Sequence, residues 1–190
     1  MREFSQGKTI NSEDTWQWWL TFIGNRMQHN YYLYYMIDEI ILDNLDIRGI
    51  VEIGTGYGAL STVLGLWGIA NNIPVLTVDS RKVHDEEVFK ALKINFIQAD
   101  EFSEELKNKI NSFINRLNYP IFFVCDGGDK VREFNLWTPL LRPNSIIAVH
   151  DWTTELEYSD IKDTAEKYCT PYKQERWNEM NVQLATFKVN

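Results

Sequence analysis

The chain has 190 residues with 44% hydrophobic and 24% charged side chains, enough for one domain with a buried core. Its net charge of −8 repels nucleic acid and anionic membranes, and no run of Lys and Arg offsets it. Two distant cysteines, Cys125 and Cys169, give neither a disulfide framework nor a zinc spacing. A cytoplasmic location is therefore expected. The opening "MREFSQGKTINSED" has no apolar signal core, and no apolar run reaches membrane-spanning length, so no membrane partner is expected either.

The elements follow in chain order. "NSEDTWQWWLTFI" starts with polar, capping-type residues and continues with aromatics, which predicts a helix over residues 11–23. "YYLYYMIDEIILDNL" predicts a second, with Leu33, Ile37, Ile40, Ile41 and Leu45 near helical spacing. Residues 1–48 read as an N-terminal helical cap and residues 49–190 as the main globular unit. After Gly49 short apolar strands alternate with amphipathic helices. Strands are predicted at Ile50–Ile53, Val75–Asp79, Phe96–Ala99, Ile121–Asp126 and Ser145–His150. Helices are predicted at about Ala59–Ala70, Asp85–Leu92, Ser103–Leu117, Lys130–Trp137 and Thr154–Tyr168. Leu106, Ile110, Phe113, Ile114 and Leu117 make one apolar stripe, behind an acidic N-terminus at Glu104 and Glu105. This alternation indicates a doubly wound α/β fold with a mostly parallel sheet covered on both faces. The end differs: "YKQERW", "NEMN" and "VQLATFKV" read as an antiparallel hairpin.

The first strand runs into "VEIGTGYG", where Gly54, Gly56 and Gly58 occupy alternate positions at a strand-to-helix turn. Such a turn takes unusual backbone angles, admits a ligand close to the backbone, and offers free N–H groups at a helix start. A ligand-free glycine turn is the competing reading. Glu52 near the end of the first strand, Asp79 at the end of the second and Asp100 after the third add three carboxylates at strand C-termini. Open α/β sheets bind ligands there.

These residues in this order resemble the class I S-adenosylmethionine-dependent methyltransferases. "VEIGTGYG" matches their E/D-x-G-x-G-x-G loop, Asp79 matches the acid that holds the cofactor ribose, and Asp100 matches the acid near the adenine. The resemblance implies a Rossmann-like sheet of seven strands with a reversed terminal strand. It also implies S-adenosylmethionine bound by Glu52, Gly54, Thr55, Gly56, Gly58, Asp79, Ser80, Asp100 and Asp126, and a small-molecule methyl acceptor. Two other readings stay open: a non-catalytic S-adenosylmethionine-binding module and a dinucleotide-binding oxidoreductase. The G-x-G-x-G spacing departs from the G-x-G-x-x-G of the latter. "CDGGDK" replaces the N/D-P-P-Y stretch of N6-adenine DNA methyltransferases.

A second stretch, "CDGGDKVREFNLWTPLLRPNSIIAVHDW", puts Asp126 and Asp151 at the ends of two further strands. Two carboxylates converging on one rim suit a hard cation such as Mg²⁺. The stretch resembles small-molecule O-methyltransferases of the cephalosporin hydroxylase and sugar O-methyltransferase groups and, more distantly, of the catechol group. That implies Asp126, Asp151 and His150 as catalytic residues, with Asp126 and Asp151 as metal ligands. The pattern departs in four places: Trp152 at the third ligand, Lys130 one position late, Asp129 in place of His, and Asn144 in place of Gly. The alternative is one acid as a cap and the other as a metal-free general base. His150 is either a base or a strand-end histidine bonded to a loop. In the family the N-terminal segment builds a lid, which would put Trp16, Trp19, Tyr31 and Tyr34 around the acceptor. Oligomeric state is left open, with a homo-oligomer compatible.

Overall fold

Strand sequences such as "FFVC" and "IIAVH" have no polar face, so they are stable only when covered on both sides. The computed structural model, which describes residues 21–23, 25–26, 29, 32–180 and 182–190, covers them in that way. Strands β3 (Ile50–Ile53), β4 (Val75–Asp79), β5 (Asn95–Gln98), β6 (Phe122–Cys125), β7 (Ile146–His150), β8 (Cys169–Pro171) and β9 (Leu184–Val189) form one sheet. Their order is β5-β4-β3-β6-β7-β9-β8. β5 to β7 are parallel, and β9 runs antiparallel to both neighbours. This is the expected seven-stranded sheet with a reversed last strand.

The period-2 alternation of each strand splits the core in two. Val51, Ile53, Phe123 and Val149 face α4 (Glu104–Leu117), α5 (Lys130–Trp137) and α6 (Tyr158–Tyr168). Ile50, Phe122, Val124 and Ile146 face α1 (Tyr32–Asp43), α2 (Ala59–Asn71) and α7 (Gln174–Glu179). Each fully buried Leu, Ile or Phe contributes roughly 1.5–3 kcal/mol. The α4 stripe is as read: Leu106, Ile110, Phe113 and Ile114 are buried, and the Ser103 hydroxyl caps the helix by accepting from Leu106 N–H. α3 (Glu86–Ala91) is capped the same way by Asp85. None of the described helices is long and apolar enough to cross a membrane.

Four expectations change. The helix over 11–23 fails at its described end, where β1 (Thr21–Phe22) pairs with β2 (Asn25–Arg26) as a short antiparallel hairpin. Asn25 explains its position: the buried amide donates to Thr62 Oγ1 at 2.9 Å and accepts from Asp85 N–H at 2.8 Å. Trp16, Trp19 and Tyr31 lie outside the described residues. Leu45, read as part of the α1 stripe, falls beyond the helix end and is 68% exposed. The terminal hairpin fails at its first strand and its turn: residues 172–177 form no strand, and β9 pairs instead with β8, Cys169–Pro171, across a connection that contains α7. "QERWNE" forms α7 after a left-handed Lys173, because the Trp177 indole must reach Thr186 Oγ1, 2.7 Å away. The helix expected from Thr154 starts at Tyr158: Asp151 and Thr153 are left-handed, and Glu157 and Asp160 make a capping box.

The glycine turn is explained partly by the fold itself. Gly54 has φ +91°, and a Cβ there would lie 2.0 Å from the Asp126 carbonyl oxygen. Gly58, φ +86°, would drive a Cβ against His84 and Phe89. The close approach at these two positions is by the protein's own atoms. Gly54→Ala is therefore expected to destabilise the fold by more than about 1 kcal/mol. Urea unfolding checks it; a midpoint equal to the parent's would refute the packing argument.

Candidate functional site

The C-terminal ends of β3, β4, β6 and β7 open on one cavity of about 900 Å³. Each wall is set by a strand end. After β3, Gly54, Thr55 and Gly56 line it, and Thr55 Oγ1 is locked against Thr77 Oγ1 at 2.6 Å. After β4 come Asp79 and Ser80. The two Asp79 oxygens accept from Gly56 N–H and Arg81 N–H, each at 2.8 Å. A carboxylate has about four acceptor sites, so this one keeps capacity for a ligand hydroxyl. Asp100 also lines the cavity, with one oxygen held by Phe102 N–H at 2.9 Å.

Asp126 and His150 close the far wall. The Asp126 carboxylate lies between two imidazoles: His29 Nε2 is 2.8 Å from Oδ2, and His150 Nδ1 is 2.9 Å from Oδ1. His150 Nδ1 is also 3.2 Å from Asp151 Oδ1, and neither His150 contact has the angle of a hydrogen bond. Burial alone would push the Asp126 carboxyl up and the His150 imidazole down. Their mutual attraction outweighs burial: Asp126 is held far below the usual carboxylate range and His150 is raised to about 10. At neutral pH the pair is carboxylate and imidazolium. The Asp151 carboxylate in turn accepts Lys130 Nζ at 2.9 Å, and the same ammonium meets Glu155 at 2.8 Å. Asp126 and Asp151 thus meet at His150 Nδ1, with a lysine already on the second acid.

The loop between β6 and α5 is held from below. Glu133 accepts from Gly127 N–H and Asp129 N–H, and Glu101 accepts from Gly128 N–H, each at 3.2 Å. Burial, reinforced by the neighbouring Glu101 charge, raises the Glu133 carboxyl to about 8.

Two expected cofactor contacts do not reach the cavity. Glu52 is fully buried beneath α2, where Ser61 Oγ and Thr77 Oγ1 donate to it. Gly58 packs on His84 and Phe89 as the residue preceding α2. Tyr34, on α1, tilts against Phe22 with ring centroids 5.5 Å apart and is not among the residues lining the cavity. His29, Glu101 and Glu155 line it and were not singled out from sequence. Lys130 was noted only for its offset. His29 stands 97 residues from Asp126, with no motif around it.

No protein-family model matches the sequence, and no curated protein matches it at a significant level. Solved structures do. The apo structure of CmcI-N160 superposes with a TM-score of 0.66 at 14% identity, covering 90% of this chain and 76% of that one. CmcI-D160 in its Mg-SAM form gives 0.66 at 13% identity, covering 100% and 82%. A putative caffeoyl-CoA O-methyltransferase from Staphylococcus aureus gives 0.53 at 17%, covering 84% of each chain. The chain has the fold of these proteins. At such identities the likeness concerns the fold, and the chemistry rests on this chain's own residues.

Glu52 supplies a test of the site's foundation. Burial raises its carboxyl from the ordinary 4.5 to about 8, against the opposing hydrogen bonds from Ser61 and Thr77. A raised acid binds its proton more tightly folded than unfolded, so it costs stability progressively as pH rises from about 4.5 to about 8. Glu52→Gln removes that term. The variant's stability relative to the parent is expected to climb across this window in pH-resolved urea denaturation. A parallel pair of curves would contradict the assignment.

Proposed function

We propose that the protein is an S-adenosylmethionine-dependent methyltransferase acting on a hydroxyl of a small molecule. One observation carries this reading. Gly54 to Gly56, Asp79, Asp100, Asp126 and His150 come from five separate strand ends, and all face a single cavity. The antiparallel β9, inserted between β7 and β8, supports it further, since the six strands that define the dinucleotide-binding sheet run parallel. The open cavity with convergent Asp126, His150 and Asp151 favours an enzyme over a binding module, whose rim would be filled.

S-adenosylmethionine supplies an electrophilic methyl group on a sulfonium. Around it the chain's residues divide the work. The Gly54–Gly56 turn and the free lone pairs of Asp79 hold the nucleoside, with Ser80 and Asp100 beside them. Six carboxylates against the fixed cations of Arg81 and Lys130 give the cavity a negative field that attracts a cationic ligand. His150, as an imidazolium, stabilises negative charge developing on an acceptor oxygen. His29, through Nε2, holds the Asp126 carboxylate in place beside it. Lys130 holds Asp151 so that His150 keeps its place.

The resemblance also suggests Mg²⁺ between Asp126 and Asp151. The donors present do not fit that ion. Mg²⁺ demands oxygen ligands in near-octahedral geometry. Here one Asp151 oxygen carries the Lys130 ammonium, the other faces an imidazole nitrogen, and the position at which the resemblance implies a third ligand is Trp152. No step is assigned to Mg²⁺.

Calorimetry with S-adenosylhomocysteine tests the binding half of this proposal. A saturable signal is expected, and Asp79→Ala should weaken it by roughly 1–3 kcal/mol through lost hydrogen bonds. Absence of heat at millimolar ligand would sink the reading. Methyl transfer screened on sugars and phenols tests the other half: Asp126→Asn should lower kcat at least roughly 100-fold.

A further inference from the structure

We infer that His29, Asp126 and His150 form a binding site for a divalent first-row transition metal of the Zn²⁺ class, one that discriminates against Mg²⁺. The inference concerns the cavity described above but stands without the methyl-transfer reading, because it needs only the protein and the ion.

Geometry comes first. One ligand atom from each of the three residues lies within 4.8 Å of the other two. Tetrahedral zinc with bonds of about 2.0–2.1 Å separates its ligand atoms by about 3.3 Å. His29 Nε2 and His150 Nδ1 stand 2.8 and 2.9 Å from the two Asp126 oxygens, about half an ångström from that spacing. Second, His150 Nδ1 is buried between two carboxylate oxygens without making a hydrogen bond to either. A buried polar nitrogen left in that state costs stability unless something else engages it. A cation bridging Nδ1 and the Asp126 carboxylate does so, and the proton that His150 otherwise carries is released to solvent as the ion binds.

The donor set then selects the ion. Two imidazoles and one carboxylate suit Zn²⁺ and its first-row neighbours, whereas Mg²⁺ takes oxygen and dehydrates reluctantly. Asp151, the residue that would shift the balance towards oxygen, is held by Lys130 at 2.9 Å. Three protein ligands leave at least one coordination position open, and all three residues line the cavity, so that position faces an incoming ligand. An acceptor oxygen bound there would be polarised by the ion. The sequence concealed the set because His29 arrives from the segment before α1, far from the two strand ends that supply its partners.

The test uses the full chain, stripped with EDTA and titrated calorimetrically with ZnCl₂, MnCl₂ and MgCl₂ in the absence of any cofactor. One Zn²⁺ per chain is expected, bound at least about 100-fold more tightly than Mg²⁺. His29→Gln, which leaves the sheet and its two cores untouched and keeps a donor beside Asp126, should weaken Zn²⁺ at least about tenfold while the metal-free variant still unfolds cooperatively. Crystals soaked in Zn²⁺ and measured at its absorption edge should show an anomalous peak among His29, Asp126 and His150; this readout stands even if a variant folds poorly. No saturable Zn²⁺ binding, equal affinity for Mg²⁺, or a peak elsewhere, such as at Cys125 or Cys169, overturns the inference. S-adenosylhomocysteine titrated into the same metal-free sample separates the two ideas. Cofactor binding without Zn²⁺ binding defeats this one alone, and the reverse defeats the methyl-transfer reading alone.

Discussion

The Asp126 carboxylate, shared by the imidazoles of His29 and His150, is the contact on which the site turns. Three parts of the chain meet there: the end of β6, the end of β7, and the segment before α1. The same residue's backbone carbonyl packs against Gly54, so the turn after β3 cannot carry a side chain at that position. A single residue thus fixes both the turn after β3 and the far wall of the cavity. Its charge state follows from its partners: two imidazoles hold the acid ionised in a place where burial would otherwise neutralise it.

Charge is graded from the rim inwards. Carboxylates facing the cavity are paired with imidazole, with lysine or with backbone N–H groups, and stay available to a ligand. Those beneath it, Glu52 and Glu133, are pushed up to about 8 by burial. They serve as hydrogen-bonded props for α2 and for the Gly127–Asp129 loop. Acidic residues of identical chemistry therefore divide into cavity-facing and structural groups according to which face of the sheet or loop carries them.

Much of this was legible in the sequence. Apolar runs without polar alternation marked the parallel strands, and polar residues directly after them marked the rim, which located Asp79, Asp100, Asp126, His150 and Asp151. Glu52 was assigned to the ligand because of the glycine motif. Strand alternation places it on the face of Ile50, opposite Val51 and Ile53, and so under α2. His29 had no local signal: its meaning comes from a contact spanning 97 residues, and the stretch around it shows no periodicity. The six-residue α7 was hidden for a related reason. "QERWNE" is too short to display helical spacing, and its conformation is set by the Trp177 bond to Thr186.

On the proposed function, one cavity presents Asp79 and the Gly54–Gly56 turn to one end of a single ligand and the His29–Asp126–His150 cluster to the other. A crystal structure of the protein with S-adenosylhomocysteine tests it most directly. The account predicts ribose hydroxyls on Asp79 and the sulfur end directed at Asp126 and its two imidazoles. A ligand bound elsewhere, or with its sulfur turned away from that cluster, would contradict it.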